Sequence, residues 1–424
     1  MTAEIVLMNT EAVALAADSA VSTSNKIFNS ANKIFMAAPN HPVGIMIYHN
    51  ARFMGVPWEV VIKLYREYLG QKERPLETLS LYVEDFIGFL KANMYRLCPT
   101  NQQVQFFEEE ARLALQDVVA VVDRDIQIAT AINPLDADAI QTLTAKSIQQ
   151  IRARLAAEPD FFPEPPEALH EYILEAYHDI LETMINELFE NRPLTSEARQ
   201  DLRQIALYVN TKFFDSAPYT GVVFAGFGEE DLYPITQSFL VGGVVHNTLK
   251  YRPQSMTRAG YFGTAGAVLP FAQKDMVISY MTGIHPQVAD FLLDVLPEML
   301  MMNLEALFEH DGEFGVRTLK KMGHVLFTDG IEAVQNTLLE ILGEASRLHS
   351  EEIVQIVSVL PKDELAALAE ALVTLTSLRR RFSFSRETVG GPVDVALISK
   401  KDGFIWVKRK HYFDAALNVH FDPL

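Results

Sequence analysis

The residue with the most distinctive chemistry stands second in the chain. A threonine after Met1 is small enough to permit removal of the initiator methionine, which leaves a free α-amine on a residue that also carries a hydroxyl. Such an amine has a pKa of about 7.7–8.0, so part of it is neutral near pH 7 and able to accept a proton. The Thr2 hydroxyl is then a nucleophile with its own general base, reached directly or through a water. Attack on an amide carbonyl gives an acyl ester that water hydrolyses. Threonine at position 2 is common, so the residues around it decide its meaning. Asp18 and Lys33 are of types that form an ion pair, and alone they would be read as a structural pair at a strand end. Close to Thr2, a buried Lys33 ammonium would favour the alkoxide and help keep the amine unprotonated. Asp18 would compensate that charge, since a buried unpaired ammonium is costly.

The elements that would position these residues are short extended runs. Thr2–Thr10 and Ala12–Asp18 are apolar runs around Asn9-Thr10-Glu11, followed by Lys26–Phe28, Lys33–Ala37 and Pro42–Tyr48, a pattern expected of an antiparallel sheet. From Val56 the period changes to helical, with Pro57 near the first turn. Residues 100–212 are helical in pattern apart from Asn133-Pro134 and the acidic, proline-rich Glu158–Glu167. Strands are expected again at Gly221–Ala225, Ser238–Val245 and Tyr261–Ala267. Helices then run from His285 to Leu378, with breaks near Asp311-Gly312, Gly323 and Pro361. Val393–Ile398 and Phe404–Lys408 flank Asp402-Gly403, a dipeptide suited to a hairpin turn. The order sheet, helices, sheet, helices, sheet is a layered α+β plan.

The motifs around Thr2 resemble the proteasome β-subunit family of N-terminal nucleophile (Ntn) hydrolases, including the peptidases of bacterial two-component proteases. Ala16-Ala17-Asp18-Ser19 matches that family's motif at the end of the second strand, and Asn32-Lys33-Ile34-Phe35 matches its lysine-led strand. Lys26-Ile27-Phe28 is an alternative, but the spacing of Lys33 from Thr2 is closer to the family's. The resemblance implies a four-layer αββα sandwich with large helical insertions and catalysis by Thr2, Asp18 and Lys33. It further implies an oxyanion hole from the backbone at His49 and Asn50, where the family has a glycine. His49 is then either a loop histidine or a participant in the chemistry. Gly263-Thr264-Ala265-Gly266 is similar to the family's Gly-Ser-Gly motif that opens a helix, which makes Thr264 a candidate partner of the amine. The family's Asp-x-x-Ser-Gly-Gly is similar only at Gly390-Gly391. Arg386 and Val389 stand at its two polar positions, leaving Ser385, Glu387 or Thr388 as replacements.

The resemblance covers residues 2–90, 219–285 and 362–410. Its division of the chain is a first part of the core at 1–95, a helical insertion at 96–215, core strands at 216–285, a second helical insertion at 286–360, and a C-terminal helix with final strands at 361–424. By the same resemblance the substrate is a peptide or protein, the chain forms a homo-oligomer that could close into a ring, and an ATP-dependent unfoldase is a candidate partner. The alternative is a catalytically degenerate scaffold or assembly protein with the same fold.

Composition bounds the remaining classes. The net charge of −19 argues against nucleic acid and anionic membrane as partners, since phosphate binding needs clustered cations. Arg379-Arg380-Arg381 and Lys408-Arg409-Lys410 read as helix-end and strand-edge charges. Cys98 is the only cysteine, so neither an intrachain disulfide nor a cysteine-rich metal site is expected. The histidines lack metal-ligand spacing, so no metal or cofactor is expected. No apolar run reaches the roughly 18 residues of a membrane span, and a cytoplasmic location is expected. Gly226-Phe227-Gly228 before Glu229-Glu230-Asp231 reads as a strand end and acidic loop, and Met299, Met301 and Met302 as core packing.

Overall fold

The computed structural model describes residues 3–22, 27–28, 31–72, 74–163, 165–214, 218–260, 263–310, 312–382 and 390–411. The chain begins with the strands β1 (Glu4–Asn9), β2 (Ala12–Ala17), β3 (Val21–Ser22), β4 (Ile27–Phe28), β5 (Ile34–Met36), β6 (Val43–His49), β7 (Arg52–Phe53) and β8 (Val56–Pro57). Eight helices follow: α1 (Trp58–Gly70), α2 (Leu79–Ala92), α3 (Met94–Leu97), α4 (Thr100–Ile132), α5 (Ala137–Ala156), α6 (Leu169–Ala176), α7 (His178–Leu188) and α8 (Ser196–Thr211). Four strands come next, β9 (Thr220–Gly226), β10 (Ile235–Val245), β11 (Thr248–Arg258) and β12 (Gly266–Ala272). Then come α9 (Asp275–Thr282), α10 (Pro286–His310), α11 (Gly312–Val359), α12 (Lys362–Arg381), β13 (Asp394–Ser399) and β14 (Gly403–Lys408). The class is α+β. Among the described residues no helix is long and apolar enough to cross a membrane.

The chain divides into two compact units. One comprises residues 1–34, 232–235 and 257–424 and holds a five-stranded sheet ordered β12-β1-β2-β13-β14. Its register is antiparallel, with Leu7 opposite Ala14 and Leu397 also opposite Ala14. Alternation along the strands sends Ile5, Leu7, Ala14, Ala16, Val395 and Leu397 to one face, where they pack with Leu365, Ala369 and Val373 of α12 and Val357 of α11. The run of alanines in β2 is explained here, because small residues on a central strand let α12 lie close over the sheet. The opposite face, with Val6, Met8, Val13 and Leu15, is also buried.

The second unit comprises residues 35–231 and 236–256. It carries, apart from a few strand ends, a five-stranded sheet ordered β11-β10-β9-β6-β5. β6 and β9 pair antiparallel from Val43↔Gly226 to His49↔Thr220. Helices α4–α8 form a hydrophobic cluster of their own around Phe107, Leu115, Ile148, Leu181 and Leu202. Phe107 and Tyr177 stack there with ring centroids 4.0 Å apart. The helical segment 100–211 thus groups with β6, β9 and β10 in one compact unit.

Several details differ from the sequence reading. The first long helix starts at Trp58, after a small β7–β8 ribbon. β11 was not expected, because its sequence is polar and contains Pro253. It is the edge strand of its sheet, the place where a missing N–H is tolerated. No break occurs at Gly323, since α11 runs unbroken through it, and one glycine costs a helix only about 1 kcal/mol. Met299 and Met302 are exposed rather than core. The acidic loop after Gly226 braces the fold locally, because Asp231 accepts the backbone N–H groups of Leu79, at the start of α2, and Gly228, each at 2.8 Å.

Candidate functional site

Asp18 follows the last residue of β2, and its carboxylate ties four parts of the first unit together. Oδ1 accepts the Ala3 backbone N–H at 3.0 Å and the Lys33 ammonium at 2.6 Å. Oδ2 accepts the backbone N–H of Ala20 at 3.3 Å and of Gly390 at 3.0 Å. The Asp18 N–H in turn donates to the Ala3 carbonyl at 3.1 Å. The next residue extends the junction, with the Ser19 hydroxyl donating to the Pro392 carbonyl at 2.5 Å and its N–H to that of Gly390 at 3.3 Å. Hydrogen bonds to a carboxylate are charge-assisted and fix their donors in direction as well as distance. The residue before β1, the lysine before β5 and the Gly390 loop are therefore fixed on one carboxylate.

Lys33 is 4% exposed and Asp18 1%. Burial pushes the Lys33 ammonium below its ordinary value, while Asp18 and Glu4 pull it back up and Lys410 adds to the lowering. Glu4, Asp394 and Lys410 were not expected at this site. Sheet register explains their presence: Ala272, Glu4, Ala17 and Asp394 lie in one row across β12, β1, β2 and β13. Glu4 is 2% exposed and Asp394 3%. The Lys410 N–H donates to Asp394 Oδ1 at 2.8 Å and its ammonium pairs with Oδ2. Lys410, read from sequence as a strand-edge charge, is thus half of a buried ion pair. The only available signal was an acid at the start of a strand near a lysine at the end of its hairpin partner.

Thr2, the nucleophile of the sequence reading, lies outside the described residues, as do Lys26, Arg386 and Val389. Ala3 is described, and its N–H is held by Asp18. Thr264 is not brought to this place. Its hydroxyl donates to the Gly266 carbonyl at 2.6 Å, and Gly266 pairs with Asn9 at the far end of β1. Five residues of strand, about 17 Å at ~3.4 Å each, separate that end from Glu4. The glycine motif opens β12 rather than a helix, and the residues at the start of the next helix, α9, are Gln273-Lys274-Asp275. Gln273 directly follows Ala272, the partner of Glu4.

His49 and Asn50 belong to the second unit, at the end of β6. His49 has a left-handed backbone, φ 68°, and its Nε2 is 3.1 Å from the Tyr219 hydroxyl with the rings edge to face at 4.6 Å. The Asn50 carbonyl accepts the Thr220 hydroxyl at 2.9 Å, and the Trp58 indole N–H donates to that same hydroxyl oxygen at 2.8 Å. The Asn50 side chain accepts the Arg52 N–H at 3.0 Å. This turn is shaped by its own hydrogen bonds.

Among the described residues no group of His, Cys, Asp and Glu is arranged to hold a metal ion. What the first unit assembles is a buried ammonium among carboxylates beside the start of the chain, an arrangement able to stabilise developing negative charge and bias a nearby proton acceptor. No protein-family model matches the chain, and no curated protein matches it.

Proposed function

We propose that this chain is a threonine-type Ntn hydrolase of the proteasome β-subunit type, cleaving peptide or other amide bonds through Thr2 after loss of Met1. The observation that carries the reading is the shared Asp18 carboxylate, which holds the Ala3 N–H and the Lys33 ammonium on the same oxygen. Two five-stranded antiparallel sheets, one of them with helices packed over a face, are further support, since an αββα sandwich is built around two sheets. In this reading the Thr2 hydroxyl oxygen attacks the amide carbon while the Thr2 amine takes the hydroxyl proton. The amine passes that proton to the leaving nitrogen as the C–N bond breaks, and water then hydrolyses the ester. Lys33 favours the alkoxide and the neutral amine through its positive charge, and Asp18 fixes its position. The oxyanion role of the His49 and Asn50 backbone is carried by the resemblance alone, as are a ring-forming homo-oligomer, an ATP-dependent unfoldase and a cytoplasmic location.

A catalytically degenerate scaffold with the same fold is the second reading. It is favoured by Thr264, which the resemblance calls on to orient the amine but whose hydroxyl donates to the Gly266 carbonyl at the Asn9 end of β1. Intact-mass analysis after incubation with a peptide epoxyketone separates the two. The hydrolase reading expects loss of Met1 and one covalent adduct on the wild type but none on Thr2→Ala. Retained Met1 overturns it, and processed protein without an adduct favours the scaffold.

A further inference from the structure

Beside α9 the first unit contains a cavity of about 230 Å³ that the proposed hydrolysis does not use. Its walls are the start of α9, the start of α10 and the last turns of α12, and they carry Arg379, Arg380 and His285 against a single acid, Asp275. The Arg380 guanidinium is 3.8 Å from the Asp275 carboxylate. Among the described residues the partner of the Arg379 guanidinium is the Met276 sulfur, at 2.9 Å. A thioether is a weak acceptor with no charge, so it leaves most of a planar five-donor cation unmatched.

Neutral groups able to donate also stand around this cation. The Gln287 N–H donates to His285 Nδ1 at 3.2 Å, so in the neutral ring the proton sits on Nε2 and that nitrogen is a donor. Gln273 and Gln287 line the cavity too. The start of α9 also stands at its wall, and a helix start carries a partial positive charge. In a chain of net charge −19, a cavity with two guanidiniums and one carboxylate is a local reversal of sign. Helix-end decoration alone would not account for it. Arg381, the third arginine of the run, lines a different cavity, beside Gly390.

We infer that this cavity binds an oxyanion, the carboxylate or phosphate group of a small molecule, with Arg379 as its principal ligand and Arg380 and His285 as supporting donors. The inference is independent of the role of Thr2. A guanidinium can give a carboxylate or phosphate two parallel charge-assisted hydrogen bonds in place of the sulfur contact.

Isothermal titration calorimetry of the full chain with inorganic phosphate and with succinate, at constant ionic strength set by chloride, tests this. One saturable site is expected on the wild type, and whichever titrant binds tighter assigns the site to phosphates or to carboxylates. Arg379→Gln should weaken that titrant by about tenfold or more, Arg379→Lys should recover part of the loss, and Arg381→Gln should leave it unchanged. Circular dichroism of each variant checks that the fold is kept. Absence of a saturable site for both titrants overturns the inference, as does an equal loss in Arg381→Gln, which would mark general charge attraction.

Discussion

Replacing Asp18 by asparagine tests the junction on which the functional reading stands. The substitution keeps the side-chain volume and one acceptor oxygen, but it removes the charge facing Lys33 and presents an NH2 to donors that now meet a carboxylate. If the amide oxygen keeps the Ala3 and Lys33 contacts, the amide nitrogen faces the N–H groups of Ala20 and Gly390. Lys33 is 4% exposed, so its ammonium cannot recover solvation without opening the structure. Removing one partner of a buried ion pair costs about 3–5 kcal/mol. In a unit on the order of 200 residues this lowers the melting temperature by about 6–20 °C. Lys33→Met alone should also destabilise, but in the Asp18→Asn background it removes the stranded charge and should recover part of the loss, a coupling of about 1–3 kcal/mol. Urea unfolding followed by circular dichroism and fluorescence gives the four stabilities of the cycle. The chain's two tryptophans, Trp58 and Trp406, lie one in each unit. Additivity of the two substitutions within about 0.5 kcal/mol would refute the coupling, and with it the claim that Asp18 holds Lys33.

Two further outcomes follow from groups outside the junction. Lys250 is 1% exposed between the rings of Phe106 and Phe161, and burial brings it down to about 8 against the opposing charge of Glu110. Its folded value lies below the unfolded 10.5, so between those pH values the unfolded chain binds more protons and stability rises with pH, by on the order of 3 kcal/mol in all. Below about pH 8 the whole cost remains. Lys250→Met should therefore be more stable at pH 7 and show a flatter rise in urea midpoint from pH 8 to 10; parallel profiles would exclude Lys250 as the source. Asn9 is buried, and its amide donates to the Val357 and Leu360 carbonyls at 3.2 and 2.9 Å while its oxygen accepts the N–H groups of Glu11 and Ala12. Asn9→Ala should cost about 1–3 kcal/mol and speed amide exchange in the last turn of α11, and an unchanged exchange rate there would show that Asn9 does not anchor that helix.

The local pattern was enough for much of this protein. Short apolar runs on either side of Asn9-Thr10-Glu11 marked β1 and β2, the helical period marked α4 to α8, and Asp402-Gly403 marked the last hairpin, where Gly403 takes φ 72°. Asp18 and Lys33 were legible because their types and spacing stand on short strands whose ends are fixed by adjacent turns. Which residues join them was decided by the register of the sheet. Register depends on which strands pair and where, a sum of contacts between segments hundreds of residues apart that no local motif encodes. For that reason Gly263–Gly266 resembled a helix-opening motif yet stands at the Asn9 end of β1, leaving Thr264 away from Asp18. The same row of paired residues brought Glu4 and Asp394 together, and with Asp394 came Lys410. Packing of α9, α10 and α12 likewise turned part of a run of arginines into the wall of a cavity, because only the assembled helices determine which side chains meet an acid and which do not.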